Sequence, residues 1–143
     1  MVIIEGKIVN GYGAARQNLE WQMPYFIEVF PEIKGCYLGS INLELVKPLK
    51  ILMPDFTTGP IKWHPVHINL EERFSFIRIK LETVNSAGNN SVVDAWIYDP
   101  HNSPHRPDPF YVEIIAPKIE LSNVGLCRVH IDRDYKEQPF IIV

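Results

Sequence analysis

Proline punctuates this chain more often than glycine does, with 12 prolines against 8 glycines in 143 residues. Each proline removes a backbone donor and clashes with the preceding helical turn, so this density excludes much long helix. Between the prolines, apolar residues fall in short alternating runs, the signature of strands.

Val2 to Asn10 is rich in β-branched residues and reads as a strand running into a tight turn at Gly11-Tyr12-Gly13. Leu19 to Ile33 holds the best helix candidate. Pro24 suits a first helical position, Tyr25, Phe26, Val29, Phe30 and Ile33 recur near helical spacing, and Pro31 limits the helix to about two turns. Ser40 to Val46 alternates cleanly, with Ile41, Leu43 and Leu45 on one face and Asn42, Glu44 and Val46 on the other. Leu49 to Met53 is a further short strand, and Phe56 to Pro65 a loop. Phe74 to Glu82 is a strand with one slip in its alternation at Phe76-Ile77, and Asn85 to Ser91 is a turn. Val92 to Tyr98, Tyr111 to Ala116, Leu126 to Asp132 and the tail Phe140 to Val143 complete the strands. Four prolines crowd the loop Asp99 to Pro109. Seven or eight short strands with one short helix predict a mainly β fold, an antiparallel barrel or sandwich, as one domain over residues 1–143.

Composition narrows the function. A net charge of −3 lacks the dense basic face that nucleic acid requires. No apolar run approaches the ~20 residues of a membrane span, and the N-terminus has no signal-peptide pattern. Cys36 and Cys127 form no disulfide framework and read as small hydrophobes, so a cytoplasmic setting is expected. His64-x-x-His67 and His101-x₃-His105 have metal-like spacing, but each lies beside prolines with no third ligand near in sequence.

Three short segments carry candidate chemistry. Gly11 and Gly13 after a strand can bring backbone N–H groups close to a phosphate, with Arg16 to neutralise it, although a two-glycine turn is also an ordinary strand end. Ser40 and Asn42, two apart on one strand, offer two neutral oxygens to Mg²⁺ or are polar residues of a solvated edge. Glu113, in Glu113-Ile114-Ile115-Ala116-Pro117, is a lone carboxylate in an apolar strand. It either accepts a hydrogen bond from a ligand or faces solvent. A Ser-His-Asp motif, a P-loop and paired carboxylates are all missing from the sequence.

In order and spacing these segments resemble the archaeal CTP-dependent riboflavin kinases. The matching pieces are Glu5-Gly6-Lys7-Ile8-Val9, Gly11-x-Gly13 with Arg16, Tyr37-x-Gly39-Ser40-Ile41-Asn42-Leu43 and Glu113-Ile114-Ile115-Ala116-Pro117. They span about residue 4 to residue 131. The resemblance implies a small six-stranded, cradle-loop β-barrel with one short helix. It implies phosphoryl transfer from CTP to riboflavin, giving FMN and CDP. Gly11, Gly13 and Arg16 would line the nucleotide, Ser40 and Asn42 would hold Mg²⁺, and Glu113 is the candidate catalytic residue, with His101, His105 and Asp108 of the preceding loop also open as the general base. Glu113, Ile115 and Ala116 would lie along the ligand cleft, and the loop His101 to Pro109 would cover the flavin. Two departures keep an alternative open, a kinase-like barrel that binds a nucleotide, flavin or other small ligand without turnover. Ala15 stands where the family has a third glycine, and Ser122-Asn123-Val124-Gly125 replaces an acidic turn.

Overall fold

A computed structural model describes residues 2–14, 16–132 and 140–142, with the backbone alone at 11–14, 16, 51 and 140–142. The strands are β1 (Val2–Ala14), β2 (Ser40–Leu45), β3 (Leu49–Ile51), β4 (Phe56–Thr57), β5 (Phe74–Asn85), β6 (Ser91–Pro100), β7 (Tyr111–Ile115), β8 (Val124–Ile131) and β9 (Phe140–Ile142). A single α-helix, α1 (Arg16–Val29), follows β1, and a 3-10 turn (Pro31–Ile33) follows it.

Six strands close on themselves in the order β5-β6-β7-β2-β1-β8, and β8 returns to β5, every neighbour antiparallel. Closure removes the exposed strand edges that would template aggregation. The seventh strand, β4, branches from the start of β5, and β3 pairs with β9 as a separate ribbon. The six-stranded antiparallel barrel expected from the sequence is the observed architecture.

Alternation sorts the side chains into two cores. Ile41, Leu43 and Leu45 from β2 fill the barrel with Ile77, Ile79 and Leu81 from β5, Ile97 from β6, Ile114 from β7 and Val129 from β8. The opposite faces of β5, β6 and β7 present Phe74, Phe76, Tyr98 and Ile115 to Leu19, Met23 and Phe26 of α1 and to Phe30 just after it. Phe26 packs edge-on against Phe74 at 4.8 Å and Phe76 at 5.1 Å between ring centroids.

This second core explains the slip at Phe76-Ile77. The β5–β6 register is continuous through those residues, so no bulge occurs. Both faces of the strand are buried there, one in the barrel and one under the helix, and two adjacent residues are therefore both apolar.

Three expectations are corrected. The helix is 14 residues long rather than about two turns, and Pro24 lies inside it rather than at its start. An interior proline costs ~3 kcal/mol. Burying Leu19, Met23 and Phe26 returns ~1.5–3 kcal/mol each, which outweighs it. The tight turn at Gly11-Tyr12-Gly13 is instead part of β1, which runs on to Ala14. Within Phe56 to Pro65, read as a loop, Phe56–Thr57 pairs with β5. The expected tail strand is present as β9, held by β3. No helix among the described residues is long and apolar enough to cross a membrane.

Candidate functional site

The glycine segment of β1 bulges. Asn10 pairs with Asn42 and Ala14 with Ser40, so four steps along β1 pass against two along β2. Such irregularities re-aim the backbone and collect beside active sites. Here the bulge that carries Gly11 and Gly13 lies directly beside Ser40 and Asn42. Arg16 opens α1 immediately afterwards. The side chain of Arg16 and the whole of Ala15 lie outside the described residues.

On the other side of β2, Asn42 stands opposite Glu113 of β7, and Glu113 stands opposite Tyr98 of β6. One rung therefore runs Asn10, Asn42, Glu113, Tyr98 across four strands. Asn42, Glu113 and Tyr98 share the face that α1 partly covers. Candidates from three distant segments are brought together by strand register alone.

Ser40 and Asn42 are not solvated edge residues, being 0% and 3% exposed. Ser40 Oγ donates to Asn42 Oδ1 at 2.7 Å, and Asn42 Nδ2 donates to the Tyr111 hydroxyl. Tyr111 fixes which way the Asn42 amide points, so the oxygen faces Ser40. The separation of the two oxygens matches the ~3 Å edge of a Mg²⁺ octahedron with ~2.1 Å bonds. Among the described residues no group of three His, Cys, Asp or Glu is placed to hold a metal.

Glu113 is half-buried, and none of the hydrogen bonds among the described residues reaches its carboxylate. Burial, reinforced by Asp99 and Glu72, pushes its pKa up to about 7. Tyr98 is also held well above its ordinary value, by burial first and then by Glu113 and Glu72. Its hydroxyl donates to the buried Gln22 of α1. Glu72 is fully engaged, accepting Trp63 Nε1 at 3.1 Å and the Asn102 amide at 2.8 Å. Glu72 therefore ties the 101–110 loop to the barrel, while Glu113 keeps free acceptor capacity among the described residues.

A cavity of about 100 Å³ opens where β6 ends and β7 begins. Tyr98, Asp99, Tyr111 and Glu113 form its wall, and His105 and Arg106 of the proline-rich loop form its cover. The His105 ring stacks on Tyr111 at 4.3 Å between centroids. The loop that was expected beside the ligand cleft does border the Glu113 cavity.

Other candidates are placed apart from it. Ile115 and Ala116 are fully buried, Ile115 under α1 and Ala116 in the barrel. His64 Nδ1 accepts the backbone amides of Val66 and His67, which closes a turn. His101 bonds Ser75 while His105 stacks on Tyr111, so that pair shares no ligand. Burial pushes the Cys36 thiol up to about 12 and the Cys127 thiol to about 11, and neither is a thiolate nucleophile.

The sequence reading missed Tyr111, Tyr98, Gln22 and Asp99. Tyr111 had a legible signal, since it shares strand parity with Glu113. Gln22 had none, because its role depends on where α1 docks.

No protein-family model matches the chain, and no curated protein matches its sequence.

Proposed function

We propose that this protein is a phosphotransferase of the CTP-dependent riboflavin kinase type, moving a phosphoryl group from CTP to riboflavin to give FMN and CDP. The observation that carries the reading is the rung joining the glycine bulge, Asn42 and Glu113. It sets the glycine bulge, a pair of oxygens and a carboxylate without a hydrogen bond among the described residues side by side. Phosphoryl transfer through a loose transition state needs positioning and charge neutralisation more than a covalent nucleophile.

Ser40 Oγ and Asn42 Oδ1 would hold Mg²⁺, which supplies the positive charge that this acidic chain lacks. The backbone at Gly11 and Gly13 lines the phosphates. Glu113, poised near 7, accepts the proton of the acceptor hydroxyl. Tyr111 orients the Asn42 amide. A cavity of about 100 Å³ is smaller than the ~300 Å³ of typical small-molecule sites, so a flavin enters only as the 101–110 loop withdraws. The His105–Tyr111 stack is the contact that opens.

The test is purified protein with riboflavin, CTP and Mg²⁺, with CDP and FMN as the expected products. Asn42→Ala should abolish turnover while the barrel stays folded. Absence of product with either CTP or ATP at high enzyme concentration would remove the kinase reading. A second reading, binding without turnover, is favoured by Ala15 at the third glycine position and by the mutual bond of Ser40 and Asn42. Thermal stabilisation by a nucleotide or flavin with no product would select it.

A further inference from the structure

We propose that a second pocket beside the Glu113 cavity is a phosphate-binding site, built from Thr57, Ser75, His101 and Arg106. It is a cavity of about 220 Å³ with Leu52 and Pro54 as its apolar wall. A water occupies ~30 Å³ of liquid, so this volume admits a tetrahedral oxyanion with several waters.

Donor counting identifies what the pocket needs. Thr57 Oγ1 lies 3.0 Å from Ser75 Oγ, and Ser75 Oγ lies 2.8 Å from His101 Nε2. Two hydroxyls and one neutral imidazole carry three donors, and these two bonds use two of them. With Nε2 as donor, a hydroxyl hydrogen is left over. With Nε2 as acceptor, the leftover donor is Nδ1–H. In every arrangement one donor has no acceptor among the described residues. The acceptor that completes this chain is a ligand oxygen or, when the pocket is empty of ligand, water.

Arg106 supplies the charge. Its Nε meets both Asp99 oxygens, at 3.2 and 3.3 Å. The hydrogen bonds among the described residues leave its two terminal nitrogens unengaged, although the side chain lines the pocket. Asp99 also lines the pocket, and Arg106 Nε holds its charge. A planar fork with two free N–H₂ groups suits phosphate oxygens in bidentate fashion. A phosphate group, free or as a monoester, fits this fork together with the spare donor and the cavity volume. Ile77, Asp99 and Arg106 also line the Glu113 cavity, so the two spaces adjoin at the Asp99–Arg106 pair. The site stands independently of phosphotransfer at Glu113, because neither donor chain nor guanidinium involves that carboxylate.

The test is titration of the full chain with inorganic phosphate, without nucleotide or flavin, followed by amide NMR at an ionic strength held with chloride. Saturable shifts at Thr57, Ser75 and His101 are expected. Arg106→Gln, at an exposed position, should weaken binding roughly tenfold or more, the scale of one charged hydrogen bond. Thr57→Val should weaken it less. Equal binding by wild type and Arg106→Gln, or shifts that chloride alone reproduces, would overturn the site. Glycerol phosphate in a parallel titration separates the sources: equal or tighter binding assigns a monoester, and its exclusion assigns the free ion. Kinase assays negative in CTP and ATP leave this measurement unaffected.

Discussion

Asn42 on β2 stands directly across from Glu113 on β7, and its amide is held by the hydroxyl of Tyr111, two residues before Glu113 on the same strand. A buried amide and a half-buried carboxylate thus share one patch of sheet, one tied by hydrogen bonds and the other without one among the described residues. That asymmetry suits division of labour: Asn42 positions, while Glu113 exchanges a proton.

Glu113 makes the folded state depend on pH. Burial first, then Asp99 and Glu72, raises it from 4.5 to about 7. The folded protein therefore keeps a proton that the unfolded chain releases across that interval. Stability falls as pH rises from 4.5 to about 7 and levels off above. Glu113→Gln removes the loss. Urea unfolding near pH 8 should find the variant more stable by at most about 3 kcal/mol, with little difference near pH 4. A gap that does not vary with pH would show that Glu113 titrates alike in the folded and unfolded chain. Turnover has the opposite slope, rising as pH passes about 7.

Glu82, on the far side of the barrel, carries the reverse sign. Its carboxylate meets His130 Nε2 at 2.9 Å and Arg128 at 2.9 Å, and Arg128 also reaches Glu5 at 3.1 Å. The bond to His130, followed by Arg128 and Asn90, holds Glu82 below its ordinary value. Its contribution is present above the unfolded pKa and disappears as pH falls through the folded one. Glu82→Gln should cost roughly 1 kcal/mol at neutral pH and nothing in strong acid, read by thermal unfolding across pH. An undiminished deficit in acid would refute the ionic origin.

Strand faces were legible because burial imposes a period of two: Ile41, Leu43 and Leu45 point inward as the pattern demands. The helix was misread because Pro24 is a strong local signal and the aromatic face of β5 and β6 that overrides it is a tertiary fact. The site was legible as separate fragments only. Asn42 and Tyr111 are 69 residues apart in sequence, and their bond depends on the β2–β7 register, which no local pattern encodes. The bulge at Gly11 and Gly13 was likewise hidden, since it exists only as a mismatch between two strands.

The helix–barrel core makes Phe26 the residue on which α1 depends. It is fully buried and touches Phe74, Phe76 and Tyr98. Phe26→Ala should lose about 3–5 kcal/mol in chemical denaturation. A loss below 1 kcal/mol would mean that the helix contributes little to the fold.

Gly6 belongs to the first matching segment, and its place in the barrel gives it a packing role. It sits on β1 between Leu45 of β2 and Cys127 of β8. A Cβ there would lie 3.1 Å from Leu45 Cδ2 and 3.2 Å from Leu43 Cβ, both in the barrel core. Leu43 Cβ is fixed to its backbone and cannot swing aside, so an added methyl must push β1 from β2. Replacing a strand glycine by alanine ordinarily gains ~0.5–1 kcal/mol from reduced chain entropy. Overpacking costs ~1–3 kcal/mol and decides the sign. Gly125→Ala is the control, because a Cβ at that position meets nothing within 4 Å. Denaturation midpoints should fall for Gly6→Ala and hold or rise for Gly125→Ala, and the reverse order would sink the packing account. The same displacement carries toward the bulge opposite Ser40 and Asn42, so Gly6→Ala should lower turnover by more than its stability loss at assay temperature explains.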